Sequence, residues 1–396
     1  MRKVSIKDLD IGEKKVLLRV DYNVPIREDG KIQDDTRIVL SLDTLKYALE
    51  AKSKIILISH LGRPKGKRIE SMSLKPCAKH LSELLNVDIK FVDDCIGDKV
   101  KVAIDNMNSG EIVMLENLRF YNEETKDNID FAKQLASNAE VYVNDAFGAI
   151  HRAHASVHAV AKFIESKGIG LLMEKELHFL DKVLEGKEHP FVAIIGGAKV
   201  SDKIEVIESL IQRVDKLFIC GAMAFTFLKA LNYDVGTSLV EEDKLEIAQS
   251  IMEKVGATKC KLMLPIDFLT VRDIQQSEES KIIQVGKKFE NRKGVDIGPE
   301  TIELFKQQLH GTKLIFWNGP AGIFEIDAYA KGTLEIARML SLTEAVTIVG
   351  GGDTLSAVNK AKVSDKISHI STGGGASLEY ISGKSLPCLA VLPDTN

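Results

Sequence analysis

Short apolar runs rich in valine and isoleucine recur along the chain and alternate with stretches of helical spacing. A continuous apolar run predicts a strand that is covered on both faces, as in a parallel sheet. The predicted strands are 16–20, 55–59, 112–115, 141–143, 191–195, 217–219, 262–264, 314–317 and 346–349. Apolar residues spaced three or four apart at 39–49 and 245–255 predict helices. This alternation predicts an α/β fold.

The alternation breaks once, around Lys167–Gly186, where Gly168 and Gly170 precede a long helical segment at 171–184 with no strand between. We therefore predict two similar-sized lobes, each a mostly parallel sheet flanked by helices, joined by a helical hinge. The predicted bounds are 1–168 for the amino-terminal lobe, 169–186 for the connecting helix, 187–380 for the carboxy-terminal lobe and 381–396 for a terminal segment. Sequence alone does not place that last segment, and packing back on the first lobe is the arrangement we adopt.

Composition narrows the classes of function. The chain has 396 residues, of which 44% are hydrophobic, and 53 basic against 57 acidic side chains give a net charge of -4. These values exclude a disordered chain and a broad basic field that would hold nucleic acid or an anionic membrane. The five cysteines are far apart and form no C-x-x-C pair, so we expect buried thiols in a reducing compartment. No signal-peptide pattern or membrane-length apolar run occurs, which predicts a soluble cytoplasmic protein.

Arginine is concentrated in the first half of the chain, where polar residues follow each predicted strand. In open parallel sheets ligands bind beyond the carboxyl ends of the strands. Arg37, Arg63, Arg119 and Arg152 all lie near strand ends or helix starts. The planar guanidinium binds carboxylate and phosphate oxygens bidentately. The first half therefore predicts a pocket for a small polyanion, and the alternative is a set of isolated surface ion pairs.

The second half offers glycine-rich turns that lead into helices, at 196–197, 350–352 and 373–375. Glycine allows close backbone approach, and a helix N-terminus presents free N–H groups to phosphate. Lys199 and Lys203 are spaced as one helical turn, a like-charge pair that favours a nearby anion. Asp353, directly after three glycines, is a suitable carboxylate for a nucleotide-bound Mg²⁺. Together these features predict a nucleotide site.

Several other site types lack their markers. The chain contains no G-x-x-x-x-G-K-[ST], no G-x-G-x-x-G and no G-x-S-x-G, which argues against P-loop, Rossmann, protein-kinase and hydrolase sites. His151, His154 and His158 have a spacing that would place them on one helical face, so a zinc site is conceivable. No carboxylate stands beside them and Arg152 intrudes, so we favour a role in lining an anion site or in packing.

Seven strings in this sequence resemble the phosphoglycerate kinase family, over residues 19–377. They are Arg19–Pro25, Ser59–Pro64, Glu116–Phe120, Asp145–Gly148 with His151–Ser156, Gly196–Lys203, Trp317–Pro320 and Gly350–Thr354. Small departures are Ala149-Ile150, where the family usually shows Thr-Ala, and Ala321, where Met is common. Neither departure removes a charged ligand group.

The resemblance implies a two-lobed monomer that transfers a phosphoryl group between 1,3-bisphosphoglycerate and ADP, giving 3-phosphoglycerate and MgATP. It implies that the amino-terminal lobe holds the phosphoglycerate through Asp21, Tyr22, Asn23, Arg37, His60, Leu61, Gly62, Arg63, Arg119 and Arg152. It implies that the nucleotide is held by Lys199, Lys203, Gly294, Asn318, Glu325, Gly351, Gly352, Asp353 and Thr354, with Asp353 on the Mg²⁺, Glu325 on the ribose and Gly294 near the adenine. The implied catalytic groups are Arg37, Lys199, Gly374 and Gly375.

No general base is needed for such a transfer, because each nucleophile is an oxygen that is already ionised at neutral pH. If one substrate binds each lobe, the reacting oxygens meet only when the lobes close, so the connecting helix is expected to act as a hinge. Two alternatives from other classes are a two-lobed, non-catalytic anion-binding protein and a nicotinamide-dependent dehydrogenase. The missing signal peptide weighs against the first, and the missing G-x-G-x-x-G against the second.

Overall fold

The chain forms two compact units in a computed structural model that describes residues 2–395. The first unit contains the described residues up to His178 together with those from Ser385 onward, and the second is Phe179–Lys384. Met1 and Asn396, the outer bounds of the predicted first lobe and terminal segment, lie outside the described residues.

The first unit is built on a six-stranded parallel sheet with the order β3-β4-β2-β1-β5-β6. Its strands are β1 Lys15–Arg19, β2 Lys54–Ile58, β3 Ile89–Val92, β4 Ile112–Leu115, β5 Val141–Asn144 and β6 Ser166–Ile169. Val16 of β1 pairs with Ile55 on one side and with Val141 on the other, and all three side chains are buried. Burial of both faces explains why the central strands have continuous apolar runs.

Helices cover this sheet. They are α1 Thr36–Leu40, α2 Leu42–Glu50, α3 Lys75–Leu85, α4 Asp98–Asp105, α5 Asn122–Thr125 and α6 Ile129–Ala136, followed by α7 Leu171–Glu185. α3 is typical, because it buries Cys77, Ala78 and Leu81 on one face and ends at Asn86, whose left-handed backbone closes the helix. The division between the two units falls within α7.

The carboxy-terminal residues of the described chain belong to the first unit. A short helix, α15 Pro387–Ala390, lies in this segment. The Val4 amide donates to the Pro393 carbonyl at 3.0 Å, and the Cys388 thiol donates to the Arg152 carbonyl at 3.3 Å. These contacts join the two ends of the chain in one unit.

The second unit has its own six-stranded parallel sheet, with the order β15-β14-β13-β7-β8-β9. Its strands are β7 Phe191–Ile195, β8 Lys216–Ile219, β9 Lys261–Met263, β13 Leu314–Asn318, β14 Val346–Gly350 and β15 His369–Ser371. A separate antiparallel sheet, β11-β10-β12, contains β10 Asp267–Val271, β11 Lys281–Gln284 and β12 Lys293–Ile297. The predicted α/β fold with two mostly parallel sheets is confirmed.

Helices of the second unit precede or follow each parallel strand. They are α8 Ile204–Leu210, α9 Met223–Ala230, α10 Leu245–Gly256, α11 Pro299–Leu309, α12 Lys331–Ser341, α13 Gly352–Lys360 and α14 Gly375–Ile381. The chain reaches β8 and β9 on one side of β7, and β14 and β15 on the other side of β13. The neighbouring pair β7 and β13 is therefore the point at which the winding direction reverses, where such sheets bind ligands.

The structure differs from the predicted elements in several places. β3 and β15 were not predicted, because each is short and contains a charged or polar residue. β6 overlaps the start of the stretch Lys167–Gly186, for which no strand was predicted, because its sequence, Ser-Lys-Gly-Ile, has little apolar character. The stretch of helical spacing at 39–49 is helical on both sides of Ser41, where two helices meet. His151, His154 and His158 do not share a helical face, since they lie in a turn-rich segment, and His158 has a carboxylate partner in Asp127 at 2.6 Å.

All five cysteines are free and buried, as predicted. Within residues 2–395 no helix has both the length and the apolar character needed to cross a membrane. Among the same residues, no cluster of three His, Cys, Asp or Glu side chains has the arrangement of a metal site.

Candidate active site

The first unit gathers polar side chains at the carboxyl ends of its strands. Asp21 follows β1, and its carboxylate accepts a hydrogen bond from Arg37 at the start of α1, with 2.8 Å between Nη1 and Oδ2. Asn23 accepts from the backbone amide of Gly62, which follows β2, at 2.8 Å. Arg119, which follows β4, donates from Nη1 to the Gly62 carbonyl at 2.7 Å. Three separate strands thus supply one continuous hydrogen-bonded cluster.

Beside this cluster lies a cationic cavity of about 410 Å³. Its lining residues are Arg63, Lys65, Gly66, Arg119, Tyr121, Asn122, Thr125, Arg152 and His154. Four of these carry permanent positive charge, and among the described residues the lining includes no Asp or Glu. Such a cavity suits a small anion with several oxygens, since guanidinium groups can each bind two of them.

The buried positive charges and the pKa shifts of this cluster suit a site that binds an anion. Arg119 is buried, and its Nε has no hydrogen-bond partner in the described residues. Desolvation, followed by the repulsion of Arg19, lowers the pKa of Arg119 to about 10. Burial also lowers the pKa of His154 to about 4, and burial together with Arg19 and Arg119 lowers that of His60 well below its usual range. Both imidazoles are therefore neutral at physiological pH.

Two of the residues implied for this site have side chains that point into the core. Tyr22 is fully buried, and its hydroxyl lies 2.8 Å from Ser41 Oγ, so burial raises its pKa. Leu61 is 5% exposed, and its backbone is held on both sides by Asn117. These two residues shape the loops, whereas Asp21, Asn23, Arg37, His60 and Arg119 supply the polar groups.

In the second unit, two loops touch where the sheet winding reverses. Gly196 follows β7, and its amide donates to the Asn318 carbonyl at 2.9 Å. A Cβ atom at Gly196 would lie 2.2 Å from the Pro320 carbonyl oxygen, so no side chain fits there. This close approach explains why position 196 is a glycine. Backbone groups, rather than side chains, therefore line this part of the candidate site.

Asn318, the last residue of β13, is hydrogen-bonded to Lys203 and to the residue before the Gly351–Thr354 turn. Its side-chain amide donates to the Gly350 carbonyl at 2.7 Å, and Lys203 donates from Nζ to its backbone carbonyl at 3.1 Å and also to its side-chain oxygen. Desolvation lowers the pKa of Lys203 to about 8. Thr354 accepts from the Gly319 amide at 2.7 Å, which attaches the first turn of α13 to the same loop.

Two implied helix starts have glycine caps. Gly351 caps α13 with a φ of 95°, a left-handed conformation that favours glycine, and Asp353 lies in the first helical turn with an exposed side chain. Gly374 caps α14, of which Gly375 is the first residue. Free N–H groups at such helix starts can bind phosphate oxygens.

An apolar pocket of about 360 Å³ is lined by three of the residues that the resemblance implies for nucleotide binding, Gly294, Glu325 and Asp353. Its walls include Phe225, Leu239, Phe268, Ile274 and Ile323, which sequence reasoning missed. A Cβ atom at Gly294 would lie 2.1 Å from Cζ of Phe225, so the bare backbone keeps the slot open. The pocket also contains Asp296, a buried carboxyl whose pKa burial raises to about 7.

The spacing argument for Lys199 and Lys203 is wrong. α8 begins only at Ile204, so Lys203 caps the helix and Lys199 lies in the loop before it. The two ammonium groups also differ in surroundings, because Lys199 is exposed and Lys203 is bound to Asn318. The like-charge argument for an anion beside these lysines therefore fails. The evidence for an anion site comes instead from the glycine-containing loops after β7, β13 and β14.

Comparison with known proteins agrees with this geometry. The family profile described as phosphoglycerate kinase matches residues 6–384. The chain belongs to the phosphoglycerate kinase family. Phosphoglycerate kinase of Aquifex aeolicus is 49% identical over 394 residues, which are 100% of this chain and 99% of the relative. That of Dictyoglomus turgidum is 50% identical over 392 residues, which are 99% and 98% of the two chains.

Solved structures show the same relationship. The phosphoglycerate kinase structure from Coxiella burnetii has a TM-score of 0.90 at 37% identity and covers 98% of both chains. The structure from Pyrococcus horikoshii has a TM-score of 0.84 at 30% identity, covering 99% of this chain and 98% of the other. The chain is thus an enzyme of the phosphoglycerate kinase type, which transfers a phosphoryl group between 1,3-bisphosphoglycerate and ADP to give 3-phosphoglycerate and ATP.

Proposed function

We propose that the first unit binds the phosphoglycerate and the second binds the nucleotide. The observation that carries this division is the contrast between a cavity with arginine walls in one unit and an apolar pocket flanked by glycine loops in the other. A three-carbon phosphate ester needs charge on all sides, whereas a nucleotide has an apolar base attached to a charged tail. Each site suits only one of these ligands.

In the first unit, Arg63, Arg119 and Arg152 bind the phosphate of 3-phosphoglycerate. Their support is the shared cavity and the unpaired Nε of Arg119, which a phosphate oxygen would satisfy. Arg37 pairs with Asp21 close to His60, so this group binds the carboxyl end of the substrate together with Asn23 and the backbone of Gly62. The side chains of Tyr22 and Leu61 support these loops from the core.

In the second unit, the adenine occupies the apolar pocket beside Gly294, and Glu325 accepts hydrogen bonds from the ribose hydroxyls. The phosphates extend toward Lys199 and Lys203 and toward the Gly351–Thr354 turn at the start of α13. The support is that Gly294, Glu325 and Asp353 line one pocket, while Lys203 is hydrogen-bonded to Asn318 and Thr354 to the adjacent Gly319.

Asp353 would hold Mg²⁺ together with oxygens of the nucleotide phosphates. The residues fit the metal, because an exposed carboxylate at the mouth of a nucleotide pocket leaves most coordination positions to phosphate and water, as Mg²⁺ prefers. When bound, the ion supplies charge neutralisation for the phosphate oxygens. The chain's own contribution is to fix one carboxylate at the capped start of α13.

Positioning and charge stabilisation account for the catalysis. The attacking oxygen, a carboxylate of 3-phosphoglycerate or a phosphate of ADP, is ionised at neutral pH, so no side chain must take its proton. Negative charge spreads over the transferring group, and Arg37, Lys199 and the backbone N–H groups of Gly374 and Gly375 stabilise it. Dissociation of the Arg37–Asp21 pair would release this guanidinium for the substrate.

Transfer requires the two bound substrates to meet, so we infer that the units close on one another with α7 as the hinge. The support is that the chain passes from one unit to the other within this helix. Closure also excludes water from the acyl phosphate. Small-angle scattering should show a smaller radius of gyration when both substrates are added, and an unchanged radius would contradict the hinge.

We further infer a monomer that acts in the cytoplasm. Each chain contains both proposed sites, and five free buried thiols suit a reducing compartment. Light scattering on the purified protein should give one chain mass, 43.7 kDa.

The decisive experiment measures ATP consumption with 3-phosphoglycerate, coupled to glyceraldehyde-3-phosphate dehydrogenase and followed by NADH oxidation. Controls omit the metal, the 3-phosphoglycerate or this chain. Turnover that requires all of them supports the proposal, including the Mg²⁺ role. Folded protein that binds ATP by calorimetry without turnover would contradict it.

A further inference from the structure

A buried chain of hydrogen bonds leads from His60 away from the candidate site. It begins at Arg19, the last residue of β1, whose side chain is fully buried. Arg19 Nη2 lies 3.0 Å from Nδ1 of His60, and Arg19 Nε donates to Ser156 Oγ at 2.9 Å. Its remaining nitrogen, Nη1, donates to the Val20 carbonyl. All three nitrogens of this guanidinium are therefore engaged.

The chain continues from Ser156 to Glu124 in α5, which is also fully buried. The Ser156 hydroxyl donates to Glu124 Oε1 at 2.7 Å, and the Ser156 amide donates to Oε2 at 2.9 Å. Both carboxylate oxygens accept, as expected of the ionised form. Burial raises the pKa of Glu124, and the charge of Arg19 with the hydrogen bonds from Ser156 opposes that shift.

The direction of these hydrogen bonds determines the tautomer of His60. Arginine can only donate, so Nδ1 of His60 must accept through its lone pair. The proton of the neutral ring then lies on Nε2, which is left as a hydrogen-bond donor. The Asp21 carboxylate, 4.0 Å from the same Nδ1, is too distant to compete for it.

We propose that Glu124 is a positioning residue that acts through Ser156 and Arg19 to hold His60 as a neutral ring with its proton on Nε2. The ring is thereby prepared to donate to an anionic oxygen of the substrate. Glu124 supplies the negative charge that keeps the buried guanidinium oriented, and Ser156 transmits that orientation by accepting from Arg19 while donating to Glu124. The inference rests on the proposed function insofar as His60 contacts the phosphoglycerate.

Nitrogen-15 NMR of the imidazole tests the positioning without any substrate. In the unaltered protein at neutral pH, His60 should show one unprotonated nitrogen, Nδ1, and one protonated nitrogen, Nε2, assigned by their loss in His60→Gln. In Glu124→Gln the side chain has a single acceptor oxygen and no charge, so the two resonances should move toward each other as the tautomers mix. Glu123→Gln, an exposed neighbour in α5, is the matched control and should leave them unchanged.

Kinetics then separate positioning from general damage to the fold. We expect Glu124→Gln to raise KM for 3-phosphoglycerate about tenfold and to leave KM for ATP unchanged, because one oriented hydrogen bond is lost on one substrate. In a double-mutant cycle, adding Glu124→Gln to His60→Gln should change KM by less than about twofold, since the group it positions is already absent. A merely structural effect would persist in the double variant.

Three results would overturn the inference: a proton on Nδ1 in the unaltered protein, an unchanged tautomer in Glu124→Gln, or full additivity in the cycle. If Glu124→Gln does not fold, Ser156→Ala removes the same link at smaller cost and must give the same mixing of tautomers. If His60→Gln leaves KM for 3-phosphoglycerate unaltered, the proposed contact of His60 with substrate is wrong, and the NMR result alone then decides the positioning.

Discussion

The two units place polar groups at the carboxyl ends of the same kind of parallel sheet by different means. The first unit uses charged side chains, several of them buried, such as Arg19, Arg119 and Glu124. The second uses close backbone contacts at glycine, as at Gly196, and needs few buried charges. Side-chain recognition can surround a small, highly charged ligand, whereas backbone recognition leaves room for a long ligand with an apolar end. The edge of a sheet therefore provides only a location for a site, and the loops determine its chemistry.

The most severe test of this comparison removes one cation from each unit. Arg37→Ala and Lys199→Ala should each lower kcat by about 10² or more and leave the fold intact, because each deletes a preorganised charge for the transferring group. Steady-state kinetics and circular dichroism measure both effects. Arg27→Ala and Lys187→Ala, at exposed positions, are the matched controls. Near-normal kcat in either active-site variant would remove that residue from the mechanism.

The pH dependence of stability tests whether ionisation of a buried carboxyl group in the first unit, that of Asp145, lowers the free energy of unfolding. Burial raises the pKa of Asp145, which holds the start of α7 through the Met173 amide, to about 6 from 3.8. The folded state thus favours the protonated form of Asp145. Its contribution to the free energy of unfolding is complete below the unfolded pKa and is lost as pH rises through about 6. Asp145→Asn, which cannot ionise, should therefore gain about 2 kcal/mol relative to the unaltered protein between pH 4.5 and 7.5.

Urea unfolding at both pH values provides the measurement for Asp145→Asn. The matched control is Asp130→Asn in α6, where the carboxylate is 86% exposed. That control should follow the unaltered protein at both pH values. Parallel stability profiles for Asp145→Asn and the unaltered protein would show that the acid ionises freely in the fold.

A small added group should affect the second unit alone. In Gly294→Ala the new methyl would lie 2.1 Å from Phe225, so the ring must shift and alter the wall of the apolar pocket. Overpacking of about 2 kcal/mol, if it is all expressed in nucleotide binding, corresponds to an increase in KM for ATP of about thirtyfold, with KM for 3-phosphoglycerate unchanged. Gly256→Ala, where a methyl meets nothing within 4 Å, is the control. Equal effects on both substrates would break the division of labour between the units.

The smallest effects should distinguish buried from exposed arginines in the cationic cavity. Arg119→Lys should raise KM for 3-phosphoglycerate about tenfold, because a buried bidentate donor is lost. Arg152→Lys, at an exposed position, should raise it only about threefold. Both should leave KM for ATP as it was. The reverse ranking would mean that exposure does not govern these contacts.

Sequence predicted nine of the twelve parallel strands in the described part of the chain, and the polar residues after them, because both are local features. Ile112–Leu115 and Phe191–Ile195 were predicted to the residue, since two glutamates bound the first apolar run and a proline and a glycine bound the second. The antiparallel sheet was missed because β11 is largely exposed and β12 contains Lys293, Gly294 and Asp296, which interrupt any apolar run.

What sequence could not provide is the direction in which a side chain turns and what meets it from a distant part of the chain. Tyr22 stands among polar site residues yet turns inward to Ser41. Phe225 and Phe268 come from two different elements and form one pocket wall only in the fold. Glu124 was indistinguishable from Glu123 beside it, because the partner that gives it a role, Ser156, is 32 residues away.

The five buried free thiols have a practical consequence for spectroscopy. Buried cysteines react slowly, so thiol-specific dyes should label the folded protein very little. A cysteine placed at an exposed position in each unit, such as Lys187 or Arg27, would accept a fluorophore without removing any native residue of the core. The chain is therefore suited to single-molecule distance measurements, because the fluorophores would attach only at the introduced cysteines.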